Sequence, residues 1–177
     1  MRRLTSVSVR VARDIPGISV GSEKMVGSSL IIGSPGTGKT TLLRDIIRRI
    51  SDSGGQAIAV VDEREEIFPI ENGSFAFYPG ARTDILSGCS KYTGIEMVLR
   101  TMNPKVIAVD EITAEEDCHA LVYAGWCGVS LLATAHASDR QELHTRPVYK
   151  PLLEHGLFQN LIVLSENQNW HLERMQE

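Results

Sequence analysis

The sequence predicts an α/β fold, a mainly parallel sheet with helices on both faces, built around a phosphate-binding loop. Short, almost wholly apolar runs alternate along the chain with stretches of helical spacing: MVGSSLIIG (25–33), AIAVVDE (57–63), KVIAVDE (105–111), VSLLATAHA (129–137) and QNLIVLSE (159–166). Strands apolar on both faces belong to parallel sheets covered on both sides. The first of these runs leads into GSPGTGKT at 33–40, which satisfies G-x-x-x-x-G-K-[ST] between a strand and a helix.

The elements follow in order. Alternation in SVSVRVA (6–12) predicts a strand, and DIPG (14–17) a turn. After the glycine loop, TTLLRDIIRRISD (40–52) places Leu42, Leu43, Ile46, Ile47 and Ile50 on one helical stripe. That leaves Arg44, Arg48 and Arg49 for solvent or a neighbour, and the glycines of SDSGGQ (51–56) end the helix. The stretch from Glu66 to Asp84 is rich in turn formers and reads as a long surface excursion. GIEMVLRTM (94–102) reads as a helix stopped by Asn103-Pro104. Residues 113–128 read as another, with Thr113 as cap and Glu116 three residues on. Residues 139–158 form a broken helical region. The chain reads as a single P-loop ATPase domain over 1–177, with a lead-in at 1–28, a core at 29–165 and a tail at 166–177.

Composition narrows the function classes. Of the 177 residues, 42% are hydrophobic and 23% charged, which is globular rather than disordered composition. The net charge of −4 offers no basic footprint, so nucleic acid is not an expected partner. Cys89, Cys118 and Cys127 are an odd set without CxxC spacing, which fits free thiols in a reducing cytoplasm. No continuous apolar stretch follows Arg2 and Arg3, so the start is not a secretory signal, and no run approaches the roughly 20 residues needed to cross a bilayer.

The chemistry concentrates at strand ends. In the loop of Gly33, Ser34, Pro35, Gly36, Thr37, Gly38, Lys39, Thr40 and Thr41, glycines let backbone N–H groups curl around a phosphate at a helix start. ATP with Mg²⁺ is the expected occupant: Lys39 reaches the β- and γ-phosphates and the Thr40 hydroxyl ligates the metal. Two strand ends offer the second carboxylate, Asp62-Glu63 and Asp110-Glu111. Asp110 after VIAV has the Walker B form and is assigned to Mg²⁺, partly through water; Glu111 or Glu63 is then placed to polarise the attacking water. Thr134 and His136 end the next strand on the nucleotide side, where they can sense the γ-phosphate or orient the water. Arg82, Arg100, Arg140 and Arg146 are open candidates for the transition-state cation, in cis or from a neighbouring subunit. A small-molecule kinase is the alternative for a P-loop chain of this size, and a non-catalytic scaffold held by ATP is a further one. A kinase needs a cationic lid, and EIFPIENGSFAFYPG has two Glu and no Arg or Lys.

Several blocks together resemble one family: GSPGTGKTTLLRDIIRRIS, VVDEREEI, ARTDILSGCSK, MVLRTMNPKVIAVDEI, ALVYAGWCGVSLLATAHA and RPVYKPLLEHGLFQNLIVLS. They are similar to the ATPase domain of the stage III sporulation protein AA family, over about residues 5–165. More distantly, LRTMNPKVIAVDEI followed by ATAHAS is similar to the hexameric secretion and pilus-motor ATPases, which places Arg100 in their arginine-containing block. The resemblance implies a RecA-like core, ATP hydrolysis and a homo-oligomeric ring, hexameric in those motors. It further implies a cytoplasmic machine, peripheral to the membrane, docked on channel proteins of a sporulation or secretion apparatus. By the same comparison Asp62-Glu63 falls near an acidic box of the secretion ATPases. Family members carry a sizeable N-terminal domain before this core, where about 30 residues precede the loop here. Glu65 and Ala135 depart from the usual residue types at their positions.

Overall fold

A computed structural model describes residues 6, 11–22, 25–53, 55–167 and 169–175. In chain order these form β1 (Ser29–Ile32), α1 (Lys39–Asp52), β2 (Ile58–Asp62), β3 (Ile70–Glu71), β4 (Ser74–Phe75), β5 (Thr83–Ser87), α2 (Lys91–Thr101) and β6 (Val106–Val109). There follow α3 (Glu115–Trp126), β7 (Ser130–Ala135), α4 (Arg140–Thr145), a 3₁₀ turn (Pro147–Tyr149), α5 (Lys150–Glu154), β8 (Asn160–Leu164) and β9 (Trp170–Arg174). Seven strands make one sheet in the order β5-β2-β6-β7-β1-β8-β9, parallel except for β9 against β8.

The apolar runs form strands with both faces buried, because their alternate side chains serve different layers. Leu30, Ile32, Val61 and Val109 pack with Ile95 and Val98 of α2, Leu121 of α3 and Leu152 of α5. Ile31, Val60, Ala108 and Ile162 pack with Leu42, Leu43, Ile46 and Ile47 of α1. Full burial of each Leu or Ile contributes about 1.5–3 kcal/mol, so the two layers fix the sheet between the helices. Gly94 lets α2 sit directly on β2: a Cβ there would lie 2.4 Å from Val61 Cγ1 and 3.1 Å from Cys89 Sγ.

Several expectations need correction. Arg44 is not left for solvent; it is 1% exposed. Its guanidinium donates to the carbonyls of Ile67, Glu66 (3.1 Å) and Arg13 (2.7 Å) and lies 4.4 Å from the Phe77 ring centroid. Arg48 pairs with Asp14 at 2.6 Å. The stretch 66–84 is therefore no loose excursion: Ile67 and Phe68 are fully buried, β3 and β4 form a small antiparallel hairpin, and its end becomes β5. Besides the β3–β4 hairpin, two longer strands were not legible, for one reason. β5 and β9 are edge strands, half wet, so they lack the continuous apolar signature of the central ones. The β9 sequence WHLER instead turns Trp170 and Leu172 to the core and His171 to solvent.

Boundaries shift as well. The strand expected over 25–33 is confined to Ser29–Ile32. Helix α3 is capped one residue later than expected, at Ala114, and Asp117 rather than Glu116 closes the turn, accepting from the Thr113 and Ala114 N–H groups at 3.1 and 3.2 Å. The expected strand over 6–12 falls largely on residues 7–10, outside the described ones. The three cysteines are free, and burial foremost pushes the Cys118 thiol up to about 12. Among the described residues no helix is long and apolar enough to cross a membrane.

Candidate active site

The carboxyl ends of β1, β7, β6 and β2 lie side by side, so the loops leaving them converge. At the end of β1, Gly33 passes where a Cβ would come within 2.8 Å of the Leu164 carbonyl oxygen and of Thr37 Oγ1. Gly38 enters α1 in the left-handed region, at φ 101°, which turns successive N–H groups inward. The first turn of α1 carries no acidic residue, so its positive end is free for an anion. Pro35 and Gly36 are exposed at the loop crest, Ser34 and Thr41 are half-buried, and the Thr37 hydroxyl donates to the Ser34 carbonyl at 2.9 Å.

Lys39 Nζ donates to the carbonyls of Gly33 (2.7 Å) and Ser34 (3.0 Å) and lies 3.0 Å from His136 Nδ1. An ammonium only donates, so Nδ1 accepts and the imidazole proton sits on Nε2. That nitrogen is 2.7 Å from Glu111 Oε1 and donates to it. Lys39, His136 and Glu111 are thus joined in one line across the loop.

A second set of contacts fixes Asp110. Register pairs Val109 with Ala133, so the next residues, Asp110 and Thr134, stand together. Thr134 Oγ1 donates to Asp110 Oδ1 at 2.7 Å and accepts from the Glu111 N–H at 2.9 Å, while Thr40 Oγ1 donates to Asp110 Oδ2 at 3.0 Å. The hydroxyl and carboxylate form a hard oxygen pair beside the loop, the donor type Mg²⁺ takes along with waters and phosphate oxygens. These residues fit the metal and the nucleotide.

The other strand end behaves differently. Asp62 is buried and accepts from the N–H groups of Glu66, Ile67 and Phe68 at 2.8–3.0 Å; burial, the largest influence, still raises its pKa. It anchors the turn after β2. Glu63 Oε2 accepts from Lys91 Nζ at 2.7 Å. Arg100 lies in the last turn of α2, 77% exposed and 3.9 Å from Glu96, at the end of that helix away from Lys91 and Glu63. The chain does not bring it to its own loop. Arg140 pairs with Glu173 at 3.0 Å, Arg146 with Glu142, and Arg82 begins at the opposite end of the sheet, where its carbonyl accepts from the Ile58 N–H.

Residues that sequence reading missed support this constellation. Tyr149, buried in the RPVYKPLL block, accepts from the His136 N–H at 3.1 Å through its hydroxyl. Lys91 and Arg64 line the pocket shared by Glu63, Asp110 and Glu111. The signals available were the lysine closing ARTDILSGCSK and the arginine inside VVDEREEI, neither of which has a generic phosphate-loop role.

Comparison with known proteins places this geometry. The family model for sporulation stage III, protein AA matches residues 1–172. Stage III sporulation protein AA of Bacillus subtilis (strain 168) is 38% identical over 178 residues, covering 93% of this chain and 57% of that protein. The chain therefore spans little more than half the length of that relative. Among solved structures, the Legionella pneumophila ATPase DotB matches with TM-score 0.63 and 18% identity, covering 93% of this chain and 51% of that one. The pilus retraction motor PilT with bound ADP matches with TM-score 0.61 and 17% identity, covering 89% and 49%. The architecture is that of a RecA-like P-loop ATPase, and the chain belongs to the stage III sporulation protein AA family.

Proposed function

We propose that this chain hydrolyses ATP with Mg²⁺ as a subunit of a cytoplasmic homo-oligomeric ring, a hexamer by likeness to secretion motors, that powers or assembles a sporulation-associated membrane channel complex. The observation that carries the reading is the line Lys39–His136–Glu111 laid beside the Thr40–Asp110–Thr134 set. It puts a phosphate-binding ammonium and a water-polarising carboxylate on the two nitrogens of one imidazole.

In this reading the backbone of residues 33–41 cradles the phosphates, and Lys39 Nζ exchanges its carbonyl acceptors for phosphate oxygens. Thr40 and Asp110, the latter partly through water, would hold Mg²⁺, which would supply positive charge beside the phosphates. A water oxygen attacks the γ-phosphorus as the bond to the β-phosphate oxygen breaks; Glu111 takes the water proton, and ADP departs. His136 holds Glu111 in place through Nε2 and reports on Lys39 through Nδ1. Arg100, exposed and away from its own loop, serves a neighbouring subunit. The fold shared with the pilus retraction motor PilT and the ATPase DotB supports the motor reading, and the Bacillus relative's name supports the sporulation setting.

The test is hydrolysis by variants with ATP binding measured alongside. Glu111→Gln retains binding and loses about 100-fold or more in kcat, as expected for a general base, and Lys39→Ala loses tight binding. Hydrolysis retained by Glu111→Gln but lost in Glu63→Gln contradicts the assignment of the base. Transfer of phosphate to a small-molecule hydroxyl with no hydrolysis contradicts the reaction.

A further inference from the structure

Lys91 occupies an unfavourable position. It is the first residue of α2, where the helix dipole opposes a cation, and its side chain is 7% exposed. Two carboxylates from two other elements compensate it: Glu63 at the end of β2, 2.7 Å away, and Asp117 in the first turn of α3, 3.8 Å away. The same Asp117 oxygen accepts from the Thr113 and Ala114 N–H groups and so fixes the lead into α3 from Thr113, two residues after Glu111.

We infer that Lys91 is a positioning residue for hydrolysis: it engages Glu63, so that Glu63 is not the base, and through Asp117 it braces the segment that follows Glu111. The inference rests on the hydrolysis reading above. The 2.7 Å contact with Lys91 ties the Glu63 carboxylate to the start of α2, and a carboxylate held in a charge-assisted hydrogen bond is fixed in place. Glu111 bonds instead to His136 Nε2, whose other ring nitrogen meets Lys39 on the loop. The two candidate carboxylates are therefore unequal, and Lys91 makes them so.

The test is a kinetic cycle on the full chain with saturating Mg-ATP: Lys91→Met, Lys91→Arg, Glu63→Gln and Lys91→Met/Glu63→Gln, each with a thermal melt and a Lys39→Ala control. Lys91→Met is expected to lower kcat by about 10- to 100-fold with little change in KM, as loss of a supporting contact does. Lys91→Arg recovers most of that loss. Glu63→Gln keeps an oxygen for Lys91 and falls by less than about ten-fold, and the double variant is no slower than Lys91→Met because the two act through one contact. Multiplying losses, Lys39-dependent turnover untouched in folded Lys91→Met, or a Glu63→Gln loss as deep as that of Glu111→Gln would overturn the inference alone. If Lys91→Met does not fold, Lys91→Arg and Glu63→Gln decide by the same criteria. Absence of any Lys39-dependent turnover in the wild type overturns the hydrolysis reading, and this inference with it.

Discussion

At the candidate site, side chains divide into those proposed to touch the reaction and those that hold them. Tyr149 belongs to the second kind: its hydroxyl oxygen accepts from the His136 N–H, and burial, the largest effect, raises its pKa, so it stays a neutral phenol. Tyr149→Phe leaves that N–H without its partner, at a cost of about 1–3 kcal/mol. The expected outcome is a lower denaturation midpoint together with a reduced kcat; an unchanged kcat would show that His136 is held by other means. Lys39, Thr40, Asp110 and Glu111 were legible because phosphate loops and Walker B strands need those residue types next to particular strand and helix ends. Tyr149 and Lys91 were not, because their partners lie 13 and 28 residues away and only folding brings them together.

Elements were legible where one physical signal dominates. The central strands declare themselves by burial on both faces; the edge strands β5 and β9, and the buried turn over 66–68, do not. Arg44 shows why: a charged residue beside an apolar helical stripe reads as solvent-facing until the carbonyls that receive it are known. The contact of α2 with β2 gives a sharp prediction. Gly94→Ala improves helix propensity by up to about 1 kcal/mol yet drives a methyl into Val61, whose branched side chain has little freedom to move. Overpacking of this kind costs about 1–3 kcal/mol, so urea denaturation should report net destabilisation; a stabilised variant would mean that α2 is free to lift.

The attachment of residues 14–19 to α1 predicts a pH dependence. Burial alone would raise the Asp45 pKa, but donation from the Ser19 hydroxyl and N–H and the Gly17 N–H, with Arg48 nearby, outweighs it and leaves Asp45 below its ordinary value. A depressed carboxylate contributes stability that is complete above its unfolded pKa, about 3.9 for Asp, and is lost as pH falls through the folded value. Asp62, raised by burial, works with the opposite sign. Asp45→Asn should therefore be less stable than wild type at pH 7 and should lose less stability between pH 4 and more acidic conditions. An acid limb as steep as that of the wild type would remove Asp45 from this role.

At the scale of the whole molecule, the loop, the Asp110 set and the Glu111–His136 pair all come from one chain. Arg100 lies exposed in the last turn of α2, Arg140 and Arg146 are engaged by Glu173 and Glu142, and the fold is shared with the ATPase DotB and the pilus motor PilT. Under the proposed function, a neighbouring copy supplies the cation at the transferred phosphate, and turnover then depends on assembly. The most direct measurement is phosphate release from Mg-ATP per subunit across a wide range of protein concentration, for wild type and Lys39→Ala. The account predicts that wild-type turnover per subunit rises with concentration to a plateau and that Lys39→Ala stays at background. Turnover per subunit independent of concentration, or phosphate release that survives Lys39→Ala, would contradict it.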